Sequence, residues 1–119
     1  MELKDRIALV QDSVIVHRQL LHAHPELSGQ EKETAAYIAN ALRKMGLEPK
    51  ENVGGYGVVA VIEGRKGGKC VGLRADFDAL SIQEETSFPS LRKTPASATP
   101  AATICILLCF WARHRCSAV

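Results

Sequence analysis

Leu3, Ile7, Val10, Val14 and Leu21 return at spacings of three, four and seven residues, the period at which one face of an α-helix meets a core. The spacing predicts an amphipathic helix over roughly the first twenty residues, with its charges on the other face, ending before Pro25. Ser28 followed by Glu31 has the form of a capping box. Beyond it Ala35, Ala36, Ile38, Ala39, Leu42 and Met45 fall on one side of a second helix, and Gly46 supplies a C-terminal stop. The pattern then shortens: a polar strand near Leu47 to Glu51, a V-G-G-Y-G turn, a strand over Val58 to Glu63, glycine punctuation from Gly64 to Gly68, and a return over Lys69 to Arg74. The apolar run Cys70 to Leu73 reads as a strand buried on both faces. Two helices followed by strands predict the opening of an α/β domain. Two or three strands do not complete such a sheet, so the pattern implies a part of a domain with an unpaired edge.

Charge divides the chain unevenly. Residues 1–85 hold all 13 acidic residues and 11 of the 15 Lys and Arg, a net charge of −2, whereas residues 86–119 hold four bases and no acids. The overall +2 is therefore a sum of unlike parts, and no basic stripe interleaved with aromatics points to nucleic acid. Cys105, Cys109 and Cys116 and the only tryptophan, Trp111, also lie after Pro89; Cys70 alone belongs to the patterned region, where it reads as a small buried hydrophobe. Charged Glu2, Lys4, Asp5 and Arg6 follow Met1 where a secretory signal would carry apolar residues, and a cytoplasmic, reduced protein is the expectation. The apolar run Ala101 to Ala112, flanked by Arg113 and Arg115, is shorter than the ~20 residues that span a bilayer. No membrane partner is expected.

The chemistry-bearing residues gather at one place. Asp76 and Asp78 stand one residue apart at the end of the Cys70 to Leu73 run, and α/β enzymes keep ligands and catalytic groups at the carboxyl ends of strands. A plain alternative is that the two aspartates cap the following turn. His17 and His22 lie on or near the first helix without acidic or thiol partners at ligand spacing, and read as surface or core residues. Glu84 and Glu85 read as a solvated loop. C-x3-C at Cys105 and Cys109 lacks the second pair that a metal site requires.

Four segments, H-R-Q-L-L-H-A-H-P-E-L-S (His17 to Ser28), E-x-x-T-A-x-x-I (Glu31 to Ile38), V-G-G-Y-G-V-V-A (Val53 to Ala60) and G-L-R-A-D-F-D-A-L (Gly72 to Leu80), occur in that order. Together they resemble the N-terminus of the metal-dependent N-acyl-amino-acid amidohydrolases of peptidase family M20, the group of hippurate hydrolase. The resemblance implies an incomplete N-terminal part of a zinc-peptidase-like catalytic domain. It also implies a divalent metal, Zn, Mn, Co or Ni, held in intact members by Cys, His and carboxylate ligands, and an N-acyl amino acid as substrate. On that resemblance Asp76 and Asp78 are supporting or second-layer carboxylates of the metal site, and His24, Pro25 and Glu26 form a structural motif in which Pro25 ends the first helix and Glu26 satisfies nearby backbone donors.

In the family, the D-A-L segment is followed by P-G-V-x-H-A-C-G-H-D-x-H-T-A-M-L-L-G-A-A, whose Cys and His bind metal. The residues after Pro89 do not resemble it as they stand. They do so one reading frame away. If one nucleotide is missing at the Pro89 codon, Trp111 (TGG) and Ala112 (GCN) force GGC, glycine; Pro100 through Ile104 permit Cys, Gly, His and Asp in succession. A run of such agreements is a poor coincidence even against the false-positive risk of motif matching. The expectation is residues 1–89 as domain sequence and 90–119 as a frameshift-derived tail without native structure. No metal is expected in this chain, its own catalysis is expected to be absent, and aggregation or chaperone contact is expected of the fragment. A contrasting reading is a small non-catalytic protein that binds a partner through its sheet edge or apolar tail.

Overall fold

The computed structural model describes residues 3–63 and 70–81. Their elements run α1 (Leu3–Ala23), α2 (Lys32–Lys44), β1 (Lys50–Val53) and β2 (Gly57–Val59). The turn Gly64 to Gly68, Lys69, the pair Glu84 and Glu85, and everything from residue 82 onward lie outside the described residues.

Helix α1 ends at Ala23, where two local features coincide. A residue before proline is driven out of the α region, which stops the helix ahead of Pro25. His24 then donates from Nδ1 to the carbonyl of Leu20 at 3.1 Å, satisfying one of the acceptors that every helix C-terminus leaves open. Val10 and Leu21 are buried on the predicted face, with Val14 half-buried beside them. The opposite face differs from the expected charged one. Ile7, on the predicted apolar side, is exposed, and so are Leu9, Val16 and Leu20. Apolar residues thus occur on two stripes of α1, and only one is covered among the described residues.

Helix α2 buries Thr34, Ala35, Ile38, Ala39, Ala41 and Leu42. Ile38 and Leu42, at 3% and 5% exposure, each contribute about 1.5–3 kcal/mol of transfer free energy. The helix ends in a Schellman arrangement: Gly46 N–H bonds Arg43 O at 2.9 Å and Leu47 N–H bonds Leu42 O at 3.1 Å. Gly46 sits at φ +82°, the left-handed region that glycine enters without a Cβ penalty. Leu47 folds back onto the cluster containing Leu42. Because Leu47 closes the helix and Pro49 has no N–H to give a ladder, the strand expected near Leu47 to Glu51 starts later, at Lys50.

Strands β1 and β2 form an antiparallel pair with partners Lys50↔Val59 and Val53↔Gly57. Three steps on β1 oppose two on β2, so one residue is bulged. Asn52, at φ +58°, takes up the irregular conformation. Gly57 is required at its position: a Cβ there would sit 3.3 Å from the carbonyl carbon of Val53 and still closer to its oxygen. Strand β2 stops at Val59 rather than continuing to Glu63. Both strands pack on α2, and Val58 and Ala60 reach the core of Leu21, Ile38, Ala41 and Leu42.

The strand expected over Lys69 to Arg74 is absent from residues 70–74, and with it the burial expected of Cys70. Val71 is 74% exposed, Leu73 is 54% exposed, and Cys70 is an exposed free thiol. An apolar run forms a buried strand only when neighbours pair its backbone and cover both faces. Among the described residues no strand pairs with it.

Candidate functional site

The D-F-D segment follows that run, and its three side chains part company. Phe77 packs against the Leu21, Ile38, Ala41 and Leu42 cluster, while Asp76 is exposed and Asp78 half-buried. Phe77 thus anchors the segment at the residue between the two carboxylates. One residue further, Ala79 is 3% exposed and donates its N–H to the carbonyl of Glu26 at 2.7 Å, beside a parallel bridge between Leu27 and Ala79. Asp78 is thereby bracketed by two fastened residues.

Asp76 lacks that restraint. Its Oδ1 accepts from Arg74 Nε at 3.1 Å and from Nη2 at 3.0 Å, a pair in which both side chains are largely solvated. Solvent screening leaves such a pair worth ~0–1 kcal/mol.

Glu26, between buried Pro25 and half-buried Leu27, is the hub. Its carboxylate accepts from the N–H of Glu33 at 3.1 Å and from that of Thr34 at 2.6 Å, the second and third residues of α2. A carboxylate there satisfies helix donors and meets the positive end of the helix dipole. The capping box expected from Ser28 and Glu31 does not form. Glu31 is the N-cap residue but makes no side-chain cap bond, and Ser28 lies exposed in a turn that continues through Gly29 at φ +81°. The chain turns back before α2 begins, which carries Ser28 away from the helix donors and brings Glu26 onto them. The cap is supplied from eight residues away, beyond the reach of a local capping motif.

The described histidines are spread along α1 and its end. His17 Nδ1 hydrogen-bonds the hydroxyl of Tyr37, and the rings meet edge to face at 5.7 Å between centroids. Burial raises the pKa of the Tyr37 hydroxyl above its ordinary value. His22 is buried at 7% exposure, and His24 is exposed at the end of α1. Neither His17 nor His24 joins the aspartates: among the described residues no three His, Cys, Asp or Glu side chains come together as a metal-binding group. The described donors therefore do not fit a metal by themselves. No helix among the described residues is long and apolar enough to cross a membrane.

Comparison with known proteins gives this arrangement a context. No family model matches the chain. It is 44% identical over 86 residues to thermostable carboxypeptidase 1 of Saccharolobus solfataricus, a match covering 71% of this chain and 22% of that protein. It is 40% identical over 94 residues to the N-acyl-L-amino acid amidohydrolase of Geobacillus stearothermophilus, covering 79% of this chain and 25% of the relative. Among solved structures, it aligns with the YXEP protein of Bacillus subtilis, a dinuclear metal binding peptidase from the M20 family, with a TM-score of 0.73 and 33% identity over 90% of this chain and 32% of that one. The chain thus spans about a fifth to a third of the length of these proteins.

Proposed function

Because this chain is homologous over most of its length to one part of the amidohydrolases of the M20 peptidase family, we propose that it is the N-terminal part of a metal-dependent enzyme that hydrolyses the amide bond of N-acyl amino acids, hippurate-like or related. The observation that carries this reading is the 40% identity to an N-acyl-L-amino acid amidohydrolase over 94 residues. A D-F-D segment anchored through Phe77, with Asp76 exposed and Asp78 half-buried, is consistent with it.

In intact members of the family a divalent metal would supply Lewis-acid activation of an amide carbonyl and of a water. The described residues bring no donor set for it, so in this reading their contribution is scaffold and orientation. Phe77 seats the D-F-D segment on the core, and Asp78 stands as a carboxylate that orients a ligand from another segment, the role outer partners play at metal sites. Asp76, paired with Arg74, is the less restrained carboxylate of the two on the grounds of its exposure. Residues 90–119 are, in this reading, a frameshift product whose alternative frame encodes the C-G-H-D ligands. In frame they are absent, and the 119-residue chain does not catalyse. A cytoplasmic site of synthesis belongs to the same reading. Leu9, Val61 and Val71, all more than 70% exposed, make chaperone contact or aggregation the expected fate of the chain alone.

The test is to express the gene with the frame restored at Pro89, beside the 119-residue chain, and assay hydrolysis of hippurate and N-acetyl amino acids with Zn or Mn. The restored protein hydrolyses one or more of them in a metal-dependent manner, Asp78→Asn lowers its rate about 10–100-fold, and the 119-residue chain is inert. A folded, metal-loaded restored protein without amidase activity would overturn the reading.

A further inference from the structure

Glu26 makes contacts of two kinds to two different segments. Its side chain holds the first turn of α2 through Glu33 and Thr34, and its backbone carbonyl holds Ala79 immediately after Asp78. We infer that Glu26 is a positioning residue: by clamping the start of α2 and the end of the D-F-D segment to the same point, it fixes where the Asp78 carboxylate stands relative to the helical layer.

Three features of the geometry support the coupling. The carboxylate uses both oxygens, one on each of two neighbouring N–H groups, so its rotation is fixed about two axes. That in turn fixes the peptide whose carbonyl faces Ala79, because Pro25 is buried on one side of Glu26 and Leu27 is bridged to Ala79 on the other. Ala79 itself is almost fully buried, so its N–H has no water to exchange Glu26 O against if the peptide rotates. The remaining anchor of the segment, Phe77, is a half-buried apolar contact, and apolar contacts set distance without setting direction. Direction at Asp78 rests on the Glu26 carbonyl.

The inference deepens the proposed function and rests on it for the meaning of Asp78, but its test is independent of catalysis. Amide hydrogen exchange is measured by NMR on the full 119-residue chain, kept dilute enough to stay monomeric, for wild type, Glu26→Gln and the double variant E26Q/E31D. Glutamine keeps the length of the side chain but replaces one acceptor oxygen by an NH₂ group, which cannot accept from a backbone N–H. The shorter carboxylate introduced by E31D gives α2 a local N-cap in compensation. In Glu26→Gln, protection falls about tenfold or more at Thr34 and also at Ala79, although the acceptor of Ala79 is a backbone carbonyl present in every variant. In the double variant, protection at Thr34 returns while Ala79 stays exposed to exchange and the carboxyl-carbon chemical shift of Asp78 remains displaced from wild type.

Unchanged protection at Ala79 in Glu26→Gln would overturn the inference by reducing Glu26 to a helix cap. Recovery of Ala79 together with Thr34 in the double variant would overturn it as well, since the effect would then pass through overall stability. Should Glu26→Gln fail to fold, the double variant alone decides between these results. None of these outcomes bears on whether the restored protein hydrolyses amides, so the failure of either idea is separable from the failure of the other.

Discussion

Replacing Gly57 by alanine tests the hairpin at the point where backbone meets backbone. The added Cβ would lie 3.3 Å from the Val53 carbonyl carbon and under 3.0 Å from its oxygen, a range real Cβ atoms do not occupy. The obstacle is main chain, so no side chain can swing aside. The Val53↔Gly57 pair has to open, and Val58, the next residue, is drawn from its contact with the Leu21 and Leu42 cluster. Forced overpacking costs about 1–3 kcal/mol, and a lost hydrogen bond adds ~0.5–1.5 kcal/mol. A destabilisation of ~1.5–4.5 kcal/mol is expected from the two together. It is read as a lower denaturant midpoint with chemical-shift changes centred on the β1–β2 hairpin. Gly72→Ala is the matched control: nothing lies within 4 Å of its Cβ position and its φ is not in the left-handed region. There the substitution should be neutral or stabilise by up to ~1 kcal/mol through the unfolded chain. If Gly57→Ala costs no more than Gly72→Ala, the reasoning is refuted.

Other consequences follow from the same packing. In a Tyr56→Phe background, absorbance of the Tyr37 phenolate should develop at higher pH in the folded chain than in urea. Burial favours the neutral phenol, so the stability it confers is full below the unfolded pKa and is lost as pH rises through the raised folded value. Coincident titrations in the two states would contradict this. Gly46→Ala should lower stability by ~1 kcal/mol, because alanine is strained in the left-handed conformation that closes α2; a neutral result in denaturant melts would contradict it. Arg74→Ala should change stability by less than ~1 kcal/mol, since its pair with Asp76 is solvated on both sides, and a larger loss would show that the pair is structural.

How much of this is legible in the residues depends on how local the cause is. Helix α2 and its Gly46 stop are legible because a 3.6-residue apolar period and a glycine terminator act within a few residues. Helix α1 is legible in extent, yet the period of one apolar face does not reveal the second stripe at Leu9, Val16 and Leu20. The Ser28 and Glu31 pair has the right spacing for a cap, but the turn through Gly29 gives the cap to Glu26, whose eight-residue reach to Thr34 no local motif encodes. Strand formation at Cys70 to Arg74 fails for a different reason. An apolar run records that a segment is suited to a buried sheet, while its pairing depends on strands elsewhere in the chain. The aspartates are legible as a pair from D-F-D alone, but their separation into a restrained Asp78 and an Arg74-bound Asp76 requires the anchoring of Phe77 and Ala79.

The most direct measurement is the nucleotide sequence of the gene through the Pro89 codon and beyond. The frame offset by one missing base should read C-G-H-D across the codons of Pro100 to Ile104 and remain open to a length comparable with the amidohydrolase relatives. A stop codon soon after Val119 in that frame, or codons there that do not spell those four residues, would contradict it.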